Sequence, residues 1–111
     1  MRRHTNDRLQ GTLDLLVLKT LASLGPMHGY ALTLHMEKVS EGILRLEEGS
    51  LYPALHRMKQ VGWVRAEWGA SENNRRARYY SITAMGQRQL REEEEHWAKL
   101  TLAVSKILQF A

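Results

Sequence analysis

Residues 50–82 read SLYPALHRMKQVGWVRAEWGASENNRRARYYSI, and this stretch decides the fold. Near its start, Leu51, Leu55 and Met58 stand at the spacing of one apolar helical face, which predicts a helix. Gly62 is expected to end that helix, because glycine readily adopts the backbone conformation that helix C-termini favour.

The start of this helix is predicted at Gly49 or Ser50, which compete for the N-cap position. Pro53 then falls within the first turn. A proline is tolerated there because its missing N–H would have no partner within the helix.

After the helix, the sequence changes period. Residues 63–68 and 76–82 are β-prone, carry aromatic side chains and alternate in character. The turn-rich residues 69–75 separate them. This pattern predicts a two-stranded β-hairpin.

Helices are predicted on both sides of this stretch. Upstream, helical spacing begins at the N-cap Thr12 and stops at Gly25, and a second helix covers about residues 29–40 after an entry turn at 27–29. Downstream, Thr83 is a good N-cap for a last helix that runs almost to the end of the chain.

The fold class that follows is mainly α with a small β-hairpin. A helix-turn-helix followed directly by a hairpin is a winged helix, in which the third helix enters the major groove and the hairpin tip touches the neighbouring DNA backbone. We expect residues 1–82 to form a winged-helix DNA-binding domain, with residues 1–8 as a mobile arm. Residues 83–111 are expected to form a C-terminal dimerisation helix.

The net charge of +4 is concentrated in the stretch that decides the fold. Residues 50–82 carry six basic and two acidic side chains, whereas basic and acidic side chains cancel in residues 1–49 and in residues 83–111. This stretch is therefore the candidate surface for a polyanion such as double-stranded DNA.

The third helix presents a polar face to that partner. Tyr52, His56 and Lys59 lie opposite its apolar face, and Arg57 and Gln60 are adjacent to them. These side chains can donate hydrogen bonds to phosphates and base edges. A structural role stays open for each, since Tyr52 can pack on the scaffold and the others can form an ordinary solvated face.

The hairpin tip is rich in hydrogen-bond donors, which suit phosphate oxygens or a narrow minor groove. A tip that needed only solubility would be served by mixed charges. Arg78 is counted with these donors, although it and Arg65 can instead only stiffen the hairpin through cross-strand pairs. The other predicted DNA-binding residues of the wing are Asn73, Asn74, Arg75 and Arg76.

The last helix carries an apolar seam that needs a partner surface. Trp97 is expected at this interface in one of two roles, either as a core residue that supplies buried area or as a flat wall for an aromatic ligand held between subunits. The predicted dimer-interface residues are Leu90, Trp97, Leu100, Val104 and Ile107.

The sequence lacks the constellations of an enzyme. The two aspartates, Asp7 and Asp14, do not support a Ser-His-Asp triad, and Glu93 with His96 gives one Glu-x-x-His where a di-iron site needs two. We therefore expect no catalysis, no cofactor and no metal. Since no apolar run approaches the length of a membrane span and the N-terminus lacks the apolar core of a signal peptide, we expect a cytoplasmic protein with no membrane partner.

Four segments of the sequence match a known family pattern. They are GTLDLLVL (residues 11–18), GPMHGY (25–30), EGSLYPALHR (48–57) and residues 67–80, which begin EWG. Together they resemble the PadR family of bacterial transcriptional regulators, and the resemblance covers the chain from about residue 9 to its end, in the right order. It implies a winged-helix repressor that forms a homodimer through its C-terminal helix and binds an inverted-repeat operator. The length is similar to that of the short subgroup, which has a single dimerisation helix.

The resemblance also bears on ligands. Some members of the family are released from DNA by phenolic acids or flat hydrophobic drugs, and an aromatic residue on the last helix can line their ligand pocket. Trp97 matches that place, which implies a small hydrophobic or aromatic effector. The residues that the resemblance assigns to DNA contact are Ser50, Tyr52 and His56 on the third helix and Arg75 and Arg76 in the wing.

The residues are also compatible with two other functions of a winged helix. An RNA-binding module would bind structured RNA with affinity comparable to that for DNA. A protein-interaction module would bind DNA negligibly and without sequence preference.

Overall fold

A computed structural model describes the backbone of residues 2–110 and the side chains of residues 11–110. Within that range the chain forms four helices and a small antiparallel sheet, which confirms a mainly α fold with a hairpin between the third and last helices. The elements are α1 (Arg2–Leu24), β1 (Met27–His28), α2 (Gly29–Val39), α3 (Glu48–Gln60), β2 (Val64–Ala70), β3 (Arg76–Ile82) and α4 (Ala84–Phe110).

The first helix begins earlier than predicted. It starts at Arg2, so Thr12 lies inside the helix and is not its N-cap. No proline interrupts the residues before Thr12, and a single glycine at position 11 costs a helix only about 1 kcal/mol, which is too little to stop it. The arm predicted over residues 1–8 has its side chains outside the described residues, so its proposed mobility is not tested.

The sheet has three strands where the sequence predicts two. Residues 27–28, predicted as part of an entry turn, form β1 and pair antiparallel with β3, so that the strand order is β1-β3-β2. The register places Met27 opposite Tyr80 and His28 opposite Tyr79. A strand of two residues is too short to show a periodicity. Its pairing partner also lies far away in the sequence, so no local pattern predicts it.

The third helix starts before the predicted position. Its N-cap is Glu47, which makes no side-chain capping hydrogen bond, rather than Gly49 or Ser50. Pro53 consequently lies in the second turn and not in the first. The predicted stop at Gly62 is confirmed, because this glycine has a φ of +87° and its N–H donates to the carbonyl of Lys59.

The last helix is fixed to the end of α3 through a joint around Thr83. As predicted, Thr83 is the N-cap, since its hydroxyl accepts a hydrogen bond from the Gly86 N–H at 3.0 Å. The same hydroxyl donates to the carbonyl oxygen of Gly62 at 2.6 Å. Gly86 permits this close approach, because a Cβ at that position would lie 2.1 Å from the carbonyl oxygen of Trp63.

The hydrophobic core lies between α1, α2, α3 and the base of the sheet. One residue of α4, Leu90, belongs to it and is 5% exposed. From Glu94 to the end of its described residues, α4 extends away from the core with every side chain exposed. The largest fully buried side chains are Val17, Leu18, Leu21, Leu32, Leu51, Leu55, Met58 and Val64.

Candidate nucleic-acid interface

The outer face of α3 presents the polar side chains that the sequence predicts. Ser50, His56 and Lys59 are exposed, whereas Leu51 and Leu55 on the opposite face are fully buried. The apolar face holds the helix against the core, and this fixes which side chains point outward.

Arg57, which the sequence predicts to contact DNA, makes an ion pair with α1 inside the protomer, and its contact with DNA stays a prediction. Its Nη2 donates to Oδ1 of Asp14 on α1 at 2.6 Å, with the Asp14 side chain 6% exposed and the Arg57 side chain 31% exposed. Burial raises the pKa of Asp14 above its ordinary 3.8, and the hydrogen bond and charge of Arg57 offset part of that rise. The pair therefore ties α3 to α1 through Nη2 of Arg57.

Tyr52 packs on the scaffold and stays partly exposed, and its contact with DNA stays a prediction. A Cβ on Gly29 would lie 2.5 Å from the Tyr52 hydroxyl, so the ring packs directly against the first turn of α2. The side chain is nevertheless exposed along one side. Burial, followed by the nearby carboxylate of Glu48, raises the pKa of Tyr52, so the hydroxyl stays neutral and can donate a hydrogen bond.

One face of the hairpin changes character along its length. Cross-strand register places Val64, Ala66 and Trp68 of β2 on the same face as Arg78 and Tyr80 of β3. At the base this face is apolar and buried, since Val64 and Tyr80 belong to the core. Toward the tip, the same inward-facing side carries tryptophan and arginine, so the cationic part of the wing points to the side occupied by the core helices.

The tryptophan and arginines of the wing are stacked. The guanidinium carbon of Arg76 lies 4.3 Å from the centroid of the Trp68 ring, and that of Arg78 lies 5.1 Å from it. The Nε of Arg78 is buried without a hydrogen-bond partner. Arg78 thus makes a cross-strand contact with Trp68, and it also lines the cleft between the wing and α2. Its contact with DNA stays a prediction.

The hairpin tip is closed by backbone hydrogen bonds. The Ser71 N–H donates to the Arg75 carbonyl at 2.7 Å, and the Asn74 N–H donates to the Ser71 carbonyl at 2.8 Å. Asn74 has a φ of +60°, a left-handed conformation that asparagine tolerates better than most residues. This turn leaves the side chains of Asn73, Asn74 and Arg75 exposed at the tip.

His28 connects the wing to the helix-turn-helix, a role that the sequence reasoning missed. Its Nδ1 accepts a hydrogen bond from the Ala31 N–H at 3.2 Å and caps α2. Its ring also meets the edge of Tyr79 at 5.3 Å between centroids. The Tyr79 hydroxyl in turn donates to the Ala70 carbonyl at 2.8 Å. Histidine is not among the preferred N-caps, so only its position before a helical pattern signals this role.

A cleft of about 660 Å³ lies between the first turn of α2, Tyr52 of α3 and the inner side of the wing. Three arginines of the wing line it, together with one acidic residue, Glu72. Among residues 11–110 no carboxylate lies within 4 Å of any of these arginines. The arginines are Arg75, Arg76 and Arg78.

The predicted dimer seam divides into two parts. Leu90 is buried in the core of the protomer and is 5% exposed, and its place at a dimer interface stays a prediction. Trp97, Leu100, Val104 and Ile107 are all exposed, with Ile107 at 67%. The apolar spacing is continuous along α4, but its first part is already covered by the protomer.

Trp97 also borders a smaller cavity of about 240 Å³ between α1 and α4. Leu15 and Leu100 line it with apolar surface, and Glu93 and His96 add polar groups. The carboxylate of Glu93 accepts a hydrogen bond from Gln89 at 2.8 Å.

Residues 11–110 contain no group of three histidine, aspartate or glutamate side chains placed to hold a metal ion. None of the helices over the described residues is long and apolar enough to cross a membrane.

Comparison with known proteins gives a consistent result. The model of the transcriptional regulator PadR-like family matches residues 17–92, which is more than half of the chain. A transcriptional regulator from Clostridium thermocellum is similar in structure with a TM-score of 0.80 at 25% sequence identity, over 90% of this chain and 93% of that one. A PadR-like transcriptional regulator from Bacillus cereus strain ATCC 14579 has a TM-score of 0.77 at 29% identity, over 93% and 97% of the two chains.

A curated relative extends the comparison to a larger protein. A 37.1 kDa protein in transposon TN4556 of Streptomyces fradiae is 39% identical over 88 residues, which span 79% of this chain and 24% of that protein.

Proposed function

The chain belongs to the PadR-like family of transcriptional regulators, which bind DNA and are not enzymes, and from this premise we propose that it is a homodimeric repressor of an inverted-repeat operator. The proposal is carried by the cleft in which Tyr52 of α3 meets wing arginines that have no carboxylate within 4 Å among residues 11–110. A double-stranded DNA backbone fits this arrangement because it supplies the negative charge that the arginines lack.

The roles on the DNA divide between α3 and the wing. The exposed face of α3 enters the major groove, where Ser50, Tyr52 and His56 reach base edges and Lys59 reaches a phosphate. The backbone between the major groove and the adjacent minor groove lies in the cleft. The wing residues Asn73, Arg75, Arg76 and Arg78 contact phosphates there, which contributes salt-dependent affinity, and Asn74 contacts a phosphate from the adjacent tip.

Dimerisation is proposed through the distal part of α4. A row of exposed large apolar side chains, including Trp97, Leu100, Val104 and Ile107, is costly to leave in water and buries well against a second copy of the same helix. A twofold dimer places two α3 helices in successive major grooves, roughly 34 Å apart, so the half-sites of the operator lie about one helical turn apart. Such a dimer represses by covering the promoter, in the cytoplasm where the DNA lies.

Effector release is the finer part of the proposal. The cavity beside Trp97 is mainly apolar and lies between α1 and α4, next to the proposed seam. A flat hydrophobic or aromatic ligand held there acts on DNA binding only if it favours one arrangement of the two protomers over another.

The test is fluorescence-anisotropy binding to the DNA upstream of the gene of this protein, with a scrambled duplex as control, at physiological salt. We expect a preference of about a thousandfold or more for the upstream DNA, with two protomers bound per site. Equal and weak binding to both duplexes contradicts an operator in that region. Comparable affinity for structured RNA, or no nucleic-acid binding at all, would instead support the RNA-binding or protein-interaction module.

A further inference from the structure

Trp68 lies toward the tip of the wing, on the face that also carries Arg76 and Arg78. Trp68 is 56% exposed, although burying a tryptophan side chain is among the largest apolar gains that a small protein can make. Its ring lies 4.3 Å from the guanidinium carbon of Arg76 and 5.1 Å from that of Arg78. The Trp68 ring therefore contacts two cations instead of packing into the core.

We propose that Trp68 is a positioning residue that holds the guanidinium groups of Arg76 and Arg78 toward one stretch of DNA backbone in the cleft. The inference rests on the proposed DNA binding and specifies how the wing achieves it.

The first argument is the mode of contact. An arginine paired with a carboxylate uses its N–H donors in that pair, as Arg57 does with Asp14. An arginine stacked on an indole ring is held through the face of the guanidinium, which leaves the donors at its edge available for phosphate oxygens. Stacking on Trp68 thus orders two arginines without consuming their donors.

The second argument is that residues 11–110 offer these arginines no other anchor. No carboxylate in that range lies within 4 Å of Arg76 or Arg78. The Nε of Arg78 is buried without a hydrogen-bond partner. The contact with the Trp68 ring is what the described structure provides to fix the side chains.

The third argument is direction. Trp68 stands directly opposite Arg78 across the strands, and Arg76 stands opposite Ala70 on the same face. This face continues the buried side of the sheet, so it turns both guanidinium groups toward Tyr52 and the first turn of α2, which form the other wall of the cleft. A phosphate held between the two walls meets both arginines in a ready-made arrangement.

The experiment compares Trp68→Leu, Trp68→Phe, Arg76→Ala with Arg78→Ala, and the combination of Trp68→Leu with both alanines. The full-length chain is titrated with a labelled scrambled duplex at several low salt concentrations. Contacts with phosphates do not depend on sequence, so this probe responds to the wing even if the chain recognises no operator. Failure of the proposed sequence-specific regulation is thereby separated from failure of the positioning role.

We expect Trp68→Leu to weaken binding about threefold to tenfold and to reduce the slope of log K against log salt by about 1 to 2, since each phosphate contact contributes about 0.9. Trp68→Phe keeps an aromatic face and recovers most of the affinity. In the chain that lacks both arginines, Trp68→Leu has no further effect, because the two changes act through the same contact.

Three outcomes overturn the proposal. The first is an unchanged salt slope in Trp68→Leu. The second is an equal loss of affinity from Trp68→Leu with and without the arginines, which would show that the indole acts by itself. The third is a wild-type chain that fails to bind the scrambled duplex at low salt.

A second measurement does not depend on DNA or on tolerance of the leucine. The magnetic field of the indole ring shifts the Nε–H proton signals of stacked arginines in the NMR spectrum. We expect two such signals displaced upfield in the wild type and returned to ordinary positions in Trp68→Leu, with smaller displacement in Trp68→Phe. Absence of displaced signals in the wild type overturns the stacked arrangement.

Discussion

Two regions of the molecule use the same residue types for opposite purposes. In the body, formed by α1 to α3, the base of the sheet and the start of α4, Leu90 is buried and Arg57 is paired with Asp14. In the outer region, formed by the wing and the distal part of α4, Leu100 is exposed and Arg76 has no acidic partner within 4 Å among the described residues. Residue type does not set the role of a side chain, because the role depends on whether its partner lies within the protomer.

This contrast has a direct experimental meaning. Substitutions in the body should lower the free energy of unfolding and leave the salt dependence of DNA binding alone. Substitutions in the outer region should change assembly or DNA binding in a protomer that still folds.

The largest effect is expected from the outer part of α4. Trp97→Asp combined with Leu100→Asp places two charges in the proposed seam, so the chain becomes monomeric and operator affinity falls about 100-fold to 10,000-fold, because two linked binding events become one. Sedimentation measures the oligomeric state, and anisotropy measures the affinity. Leu102→Asp is the control, since Leu102 is also exposed but lies off the seam. A doubly substituted chain that remains dimeric would remove these residues from the interface.

The matching change in the body is Leu90→Ala. Truncating a buried leucine costs about 2 to 5 kcal/mol through lost transfer free energy and the cavity left behind. Urea unfolding measures the loss, and Leu100→Ala on the same helix serves as the exposed control under conditions in which the chain is monomeric. A Leu90→Ala protein as stable as the wild type would contradict the burial of Leu90 in the core.

A charge in the body gives a smaller, pH-dependent effect. Arg57→Ala leaves the buried Asp14 carboxylate without its cation, and we expect a loss of about 1 to 3 kcal/mol near pH 7.5, discounted because Arg57 is partly exposed. Burial already raises the pKa of Asp14, and removing Arg57 raises it further. Since folding then favours the protonated carboxyl, stability falls as the pH rises through the raised pKa.

The loss caused by Arg57→Ala should therefore shrink when the pH is lowered from 7.5 toward 5. Thermal or urea unfolding across this range measures it. Lys19→Ala is the control, because the Lys19–Glu94 pair, at 3.0 Å, is largely exposed on both sides and is worth about 0 to 1 kcal/mol. If the loss of stability in Arg57→Ala is the same at every pH, the titration of Asp14 does not cause it.

The smallest change in free energy is expected in the wing. Replacing Arg75 and Arg76 by alanine should weaken operator binding about threefold to tenfold and lower the slope of log K against log salt by about 1 to 2, with no change in the unfolding transition. Replacing Arg88 and Arg91 on α4 removes the same net charge from exposed positions away from the cleft. If both double variants have the same slope, the wing arginines act only through net charge.

Local signals in the sequence predict the skeleton of the fold correctly. Gly62 and Thr83 lie at positions where a left-handed backbone or a capping hydroxyl is needed, so each is readable from its neighbours alone. The N-cap of α3 was predicted at Gly49 or Ser50 and lies at Glu47, because Glu47 makes no side-chain capping hydrogen bond and is not a residue type that marks a helix start. The strand β1 was missed because its two residues are defined by pairing with residues 79 and 80.

The candidate site is readable to a lesser extent, for a related physical reason. Periodicity shows which face of a helix a side chain occupies but not what lies opposite that face. Arg57 and Leu90 were therefore grouped with their exposed neighbours, although α1 meets the first and the core meets the second. Trp68 was missed because its significance comes from two arginines on another strand.

The hydrogen bonds around Thr83 affect the distance at which a dimer would hold its two α3 helices on DNA. The Thr83 hydroxyl is hydrogen-bonded both to the turn after α3 and to the first turn of α4, so α3 and α4 behave as one rigid arm. From Thr83 to Val104 that arm extends roughly 30 Å at about 1.5 Å per residue. A change of about 5° in the crossing angle of two such arms shifts the two DNA-binding ends relative to each other by roughly 3 Å, close to the rise of one base pair. In such a dimer, the spacing between the two α3 helices would thus depend on the angle at which the two α4 helices cross. One residue inserted in α4 between Thr83 and the seam would rotate each DNA-binding end by about 100° around α4, so that α3 would face away from the major groove.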